Sequence, residues 1–186
     1  MPSPVGHVLA GLAVACAVDR RGDATPRLIL TCAFIAAAPD LDLLVPGEHR
    51  TFTHSLFAVG LVLLVTWAIT RAVAARADWR VAIACALAVA SHLLTDYFSV
   101  DTGTPSGLQL LWPGGQWFKS DWALFLGTER FAPFSPFAMA TNARALMREL
   151  LVLGPVCLLA WQLRRRRQRA LADANRRGAR QSPPIS

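Results

Sequence analysis

The sequence predicts an all-α, polytopic helical membrane protein. Three observations carry that expectation. Of the 186 residues, 54% are hydrophobic and only 17% charged, with a mean hydropathy of +0.38. Soluble globular chains run nearer a quarter charged. Five long apolar runs punctuate the chain: Val5–Val18, Leu28–Val45, Leu56–Ala75, Val81–Val100 and Leu146–Leu163. The runs also lack charged residues at helical spacing, which the outer face of a soluble helical bundle requires. The same composition excludes a disordered chain and a small disulfide-stapled one. Cys16, Cys32, Cys85 and Cys157 are scattered through apolar runs with no CxxC pair, and read as small buried hydrophobes.

The runs differ in reach. A bilayer core about 30 Å thick needs roughly 20 helical residues. Val5–Val18 spans only about 21 Å at 1.5 Å per residue, so it tilts, spans incompletely or is extended by its flanks. Its Ala15-Cys16-Ala17 mimics a signal-peptide cleavage site. Met1 to Gly6, however, has no Lys or Arg, whereas a signal peptide needs a positive start, so the run is expected to stay in the mature protein. Leu28–Val45 is marginal and contains Pro39, which breaks or kinks a helix. Leu56–Ala75, with Arg71 as its single charge, and Val81–Val100 are long enough to cross. Leu146–Leu163 is marginal.

Residues 101–145 form a long connection carrying Trp112, Trp117 and Trp122 and an aromatic, proline-rich stretch from Phe125 to Phe137. Such a loop reads as an interfacial anchor or as a lid over a site. Residues 1–163 are expected to form the helical membrane domain. Residues 164–186 form a basic tail expected to be disordered, serving as a topology anchor or a contact for anionic headgroups.

A net charge of +7 spread over a surface would suggest a nucleic-acid partner. Here it is not spread, and no nucleic-acid partner is expected. If all five runs cross, fourteen of the nineteen basic residues fall on one side, in the loops after runs one and three and in the tail. Arg50, Lys119, Arg130, Arg144 and Arg148 fall on the other. The positive-inside rule makes the arginine-rich side and the C-terminus cytoplasmic in a plasma (inner) membrane, and turns the 46–55 and 101–145 loops outward.

The outward side also collects every histidine. Ionisable groups in or beside apolar helices are costly and usually functional. His92 and Asp96 stand at i, i+4 and share a helical face, a spacing that suits one metal ion or a locking hydrogen bond. Asp40 and Asp42 follow Pro39 at a chain turn, where two carboxylates can converge on a cation or cap a short helix. His49-Arg50-Thr51-Phe52-Thr53-His54-Ser55 precedes the third run, and Thr53 or Ser55 suits its N-cap. A planar guanidinium at Arg50 suits phosphate or carboxylate binding. His7 sits at the outer end of the first run. Four imidazoles and three carboxylates suffice for two ions sharing a carboxylate, or for one ion with orienting carboxylates. These N/O donors suit Zn, Mn or Fe.

With these motifs in view, the chain resembles the membrane-bound predicted metal-dependent hydrolases of the YdjM-like, LexA-regulated type. The resemblance rests on Gly6-His7 with Gly11, Pro39-Asp40-Leu41-Asp42, the His49–Ser55 stretch, His92-Leu93-Leu94-Thr95-Asp96 and Gly107-Leu108-Gln109-Leu110-Leu111-Trp112-Pro113, and covers roughly residues 1–120. It implies a helical inner-membrane protein with a His/Asp metal centre and hydrolase activity. The expectation is a site at the outer membrane face with His7, Asp40, Asp42, His49, His54, His92 and Asp96 as metal ligands. A metal-activated water would attack a phosphoester or ester of a lipid-like substrate, Arg50 would stabilise developing negative charge, and either metal-bound hydroxide would attack with no separate base or Asp40 or Asp42 would serve as base. The rival readings are a metal-ion transporter, disfavoured by the apolar inner halves of the runs, and a structural membrane protein stapled by a metal.

Overall fold

A hydroxyl followed by proline opens each of the first two helices. Ser3 caps α1 (Pro4–Val18), its Oγ accepting from Gly6 N at 3.3 Å, and Thr25 caps α2 (Pro26–Ala37) by accepting from Leu28 N at 3.3 Å. Proline is tolerated there because the first helical N–H groups have no partner within the helix. This computed structural model describes residues 1–19, 25–45, 49–74, 78–130 and 132–181. Arg20, Arg21, Ala75, Arg76 and the tail beyond Gln181 lie outside the described residues. Pro39 ends α2 as the sequence predicts, and the chain tightens into a 3₁₀ helix over Ala38–Leu44. A second 3₁₀ turn, Phe52–His54, leads into α3 (Leu56–Ala74), capped by Ser55 Oγ, which accepts from Ala58 N at 3.2 Å. Asp78 caps α4 (Trp79–Tyr97), and α5 runs from Pro136 to Gln181. The described residues thus form five α-helices and no β-strand.

Three of these helices, α3, α4 and α5, are long and apolar enough to cross a membrane, and α1 is a shorter apolar helix. Helix α2 has 12 residues and reaches only about 18 Å, because the turn at Pro39 leaves residues 38–45, nearly half of the apolar run, outside it. Helix α3 leaves Leu64, Ile69 and Val73 exposed, an apolar surface suited to lipid rather than water.

Small residues let the helices approach closely. α1 packs on α2, α4 and α5, and α3 packs on α4. Ala15, Cys32, Ala36, Ala84 and Ala88 form one buried cluster. A Cβ at Gly11 would lie 2.6 Å from both Ala36 Cβ and the Cys32 carbonyl oxygen, so only glycine permits this crossing. Glu149 of α5 is fully buried and accepts from Ser3 N at 2.5 Å and from Ser3 Oγ, fastening α5 to the start of α1. Arg164 Nε bonds Asp19 Oδ2 at 2.7 Å at the other end of α1.

Two boundaries differ from the sequence expectation. Residues 136–145 belong to α5 rather than to the connecting loop, because Ser135 Oγ accepts from Ala138 N at 3.2 Å and Pro136 starts the helix. The basic stretch 164–181, expected to be disordered, continues α5. Extending an existing helix adds one hydrogen bond per residue without a new nucleus, and Arg, Ala, Gln and Leu are strong helix formers. Arg165 over Trp161, at 4.3 Å, and Arg167 Nη1 on the Ala17 carbonyl at 3.2 Å absorb some of the local charge.

Residues 98–130 fold back over the site end of the helices. Paired bonds join Leu108 and Phe118 at 2.9 Å, Val100 N bonds Phe125 O at 2.9 Å, and Gln109 N bonds Arg50 O at 3.0 Å. Trp112 packs against Phe52 and Phe57, with ring centroids 5.1 and 5.7 Å away. The segment is a structured cap.

Candidate metal centre

The start of α1, the end of α2, the start of α3 and the end of α4 lie at one end of the bundle. That places His7, Asp40, His54, His92 and Asp96 together. His7, His54 and His92 are fully buried, as is the Asp96 side chain. His7 Nε2 lies 3.5 Å from Asp40 Oδ2 and 3.6 Å from Asp96 Oδ1. His54 Nε2 lies 3.3 Å from Asp96 Oδ2 and 3.7 Å from Asp40 Oδ1. His92 Nε2 lies 3.5 Å from Asp96 Oδ2, its i+4 neighbour, and 3.0 Å from His54 Nε2. The His7 and His92 rings stack at 3.8 Å.

The far side of each ring fixes which nitrogen is bare. His92 Nδ1 is 2.7 Å from the Ala36 carbonyl, which can only accept, so Nδ1 carries the proton. His54 Nδ1 is 3.0 Å from Asp42 Oδ2, again an acceptor. At His7 the partner is the Thr95 hydroxyl, 3.0 Å from Nδ1. Thr95 spends its single proton on the His92 carbonyl at 2.8 Å, so it accepts from His7. All three imidazoles therefore keep their proton on Nδ1 and turn Nε2 towards Asp40 and Asp96. Metal-binding histidines are oriented in this way by acceptors behind them.

The donor set fits a divalent cation. His7 Nε2, Asp40 Oδ1 and both Asp96 oxygens are buried without a hydrogen-bond partner, an arrangement costly without a cation. Two groups, one of four residues and one of three, each bring their ligand atoms within 4.8 Å of one another: His7, Asp40, His92 and Asp96, and Asp40, His49 and His54. Burial would lower the His54 pKa, but Asp40, Asp42 and Asp96 outweigh it and hold it up to about 10. At His54 the three carboxylates thus favour a positive charge, a proton or a metal ion on Nε2.

Asp42, expected as a ligand and base, does something else. Its Oδ1 accepts from His49 Nδ1 at 2.7 Å, and its Oδ2 accepts from Arg50 N at 3.1 Å, Thr53 Oγ1 at 2.6 Å and His54 Nδ1. With its lone pairs committed, it orients two histidines. Burial pushes its carboxyl up, yet the bonds from His49, His54 and Thr53 prevail and hold it well below the carboxylate range. Thr53 is thus tied to Asp42, leaving the cap of α3 to Ser55.

His49 sits to one side, partly exposed, with Nε2 2.8 Å from Met1 Sδ. Arg50 is buried and adopts a left-handed φ of 66°, a conformation that non-glycine residues hold only where surroundings enforce it. Its Nη1 pairs with Asp101 Oδ2. Asp101 in turn accepts from Gly103 N at 2.9 Å and Gly107 N at 2.6 Å. His49, Arg50 and Asp101 line a cavity of about 740 Å³ under the cap, with Trp117, Thr128 and Arg130 among its other walls.

Thr95, Asp101 and Glu149 are absent from the residues singled out by the sequence. Each had a signal: Thr95 lies between His92 and Asp96, Asp101 opens a Gly- and Pro-rich turn, and Glu149 is an acid inside an apolar run.

A family model described as YdjM inner membrane protein matches residues 1–169. No curated protein and no solved structure matches the chain.

Proposed function

The chain belongs to the YdjM inner membrane protein family, and from that premise we propose that it is a multi-pass, metal-dependent hydrolase acting on a phosphoester or ester of a lipid-like substrate. The observation that carries this reading is the set of buried, unpartnered ligand atoms on His7, Asp40 and Asp96 beside a cavity walled by Arg50. His7, Asp40, His54, His92 and Asp96 would hold the metal, with Zn the best match to the donors and Mn or Fe alternatives. A bound divalent ion supplies Lewis-acid polarisation of the scissile group and a water acidified towards neutral pH.

The remaining work belongs to the chain. Asp42 holds His49 and His54 in register, and Thr95 and the Ala36 carbonyl do the same for His7 and His92. Asp101 steadies one edge of the Arg50 guanidinium, leaving its other N–H groups to meet anionic oxygens of a substrate in the cavity. Residues 100–105, 117 and 127–130 form much of that cavity's wall. Asp42 is too heavily bonded to accept a proton, and Asp40 would be held by the metal, so neither carboxylate is left free to act as a separate base.

The sidedness of charge supports a site facing outward and a cytoplasmic C-terminus. Arg27, Arg71 and Arg80 lie at helix ends opposite the site, Arg164 and Arg167 of α5 lie against the same end of α1 at Asp19 and Ala17, and positive segments stay inside.

The test is product release from a panel of lipid-like phosphoesters and esters by the purified protein. Hydrolysis should stop with a chelator and return with metal. Arg50→Lys keeps the charge but loses the planar fork, and should cut turnover by roughly 10²-fold with metal content unchanged. Chelator-resistant hydrolysis would defeat the mechanism. Metal accumulation in vesicles without cleavage of any substrate would favour transport.

A further inference from the structure

We infer that the centre holds two ions of different character, bridged by Asp40: a sealed one on His7, Asp40, His92 and Asp96, and an exchangeable one on Asp40, His49 and His54 that faces the cavity. The inference rests on the metal-dependent reading above and divides its site.

The two ligand groups share Asp40 and differ in every other member. A carboxylate has two oxygens, and those of Asp40 point to different neighbours: Oδ2 lies near His7 and Oδ1 near His54 and His92. The first group offers four side chains, three of them fully buried. None of the four lines the cavity. Four protein ligands and no open position is the pattern of a closed, structural metal site. The second group offers three side chains and includes His49, whose side chain is 26% exposed and lines the cavity. Three protein ligands with room for a further one is the pattern of a catalytic site.

The surroundings of His49 agree. Its Nδ1 is spent on Asp42 Oδ1, and its Nε2 faces the thioether of Met1, which donates no hydrogen bond. Asp42 holds His49 and His54 at once, so one carboxylate orients the two imidazoles of the second group. Arg50, the neighbour of His49, lies on the same wall. Substrate in the cavity would meet the second ion and Arg50 together, while the first ion would lie behind the bridging carboxylate.

Metal analysis of the zinc-loaded full-length protein in detergent tests this. Wild type should carry about two ions per chain, falling to about one on dialysis against a weak chelator. His49→Ala should carry one ion that resists the same dialysis, with an unchanged helical circular dichroism spectrum, since its side chain is partly exposed. His7→Gln should retain mainly the exchangeable ion. Cobalt-loaded wild type should show magnetic coupling between two ions, and His49→Ala should not. A single ion in wild type, or two retained in His49→Ala, overturns the inference. If one ion is found and hydrolysis remains chelator-sensitive, the hydrolase reading survives alone. If no metal binds, both fall.

Discussion

Thr95 illustrates how one hydroxyl can decide what an imidazole does. By donating to the His92 carbonyl and accepting from His7, it sets the His7 tautomer from behind. Thr95→Val keeps the shape and removes the acceptor, so competition titration should show metal affinity falling about 10–100-fold, with Thr95→Ser close to wild type. Equal affinity in all three proteins would assign Thr95 to packing. Asp101 gives a pH prediction. Burial raises its carboxyl, but Gly107 N, Gly103 N and Arg50 outweigh burial and hold it below its ordinary value of 3.8. A lowered carboxyl contributes stability above the ordinary value and loses it as pH falls through the folded one. Melting temperature in detergent should therefore drop on acidification below about pH 4, and Asp101→Asn should shrink that drop.

At the level of elements, Gly11 of α1 and Gly60 of α3 separate packing from propensity. Gly11→Ala drives a methyl into the Cys32 carbonyl and Ala36, and should lower the melting temperature and loosen the metal, since α1 carries His7. A methyl added at Gly60 of α3 would meet nothing within 4 Å, so Gly60→Ala should be neutral or stabilising by up to about 1 kcal/mol. A similar loss in both would mean that the α1–α2 crossing is not specially tight. Such distinctions were invisible in the chain, which shows glycine but not what faces it. What was legible followed from local rules: apolar runs gave α3 and α4, Pro39 gave the end of α2, and the i, i+4 spacing put His92 and Asp96 on one face. The division of labour between Asp40 and Asp42 was not legible. Both follow one proline at a turn, and only the return of His49 to Thr53 over that turn decides which carboxylate is tied up. Glu149 was legible in principle, because an acid within an apolar run needs a partner, but its partner Ser3 lies 146 residues away.

Across the whole molecule, the ionisable clusters occupy one end and most arginines the other. This asymmetry predicts that a cysteine at Ser106, in the cap, reacts with an impermeant thiol reagent added outside, while one at Ala172, late in α5, reacts only after the membrane is opened. The reverse pattern would put the site in the cytoplasm. The 46-residue α5 has a further consequence. A helix is a ruler, rising 1.5 Å per residue, so Arg176 and Arg177 stand about 18 Å along the axis from Arg164. Physiological salt screens charge over about 8 Å. For α5 upright in the bilayer, the basic stretch therefore splits into two electrostatic populations. Arg164 to Arg169 lie close enough to feel the lipid surface. Arg176 and Arg177 are carried out on a stiff spar beyond its field, where their charge is offered to the aqueous compartment.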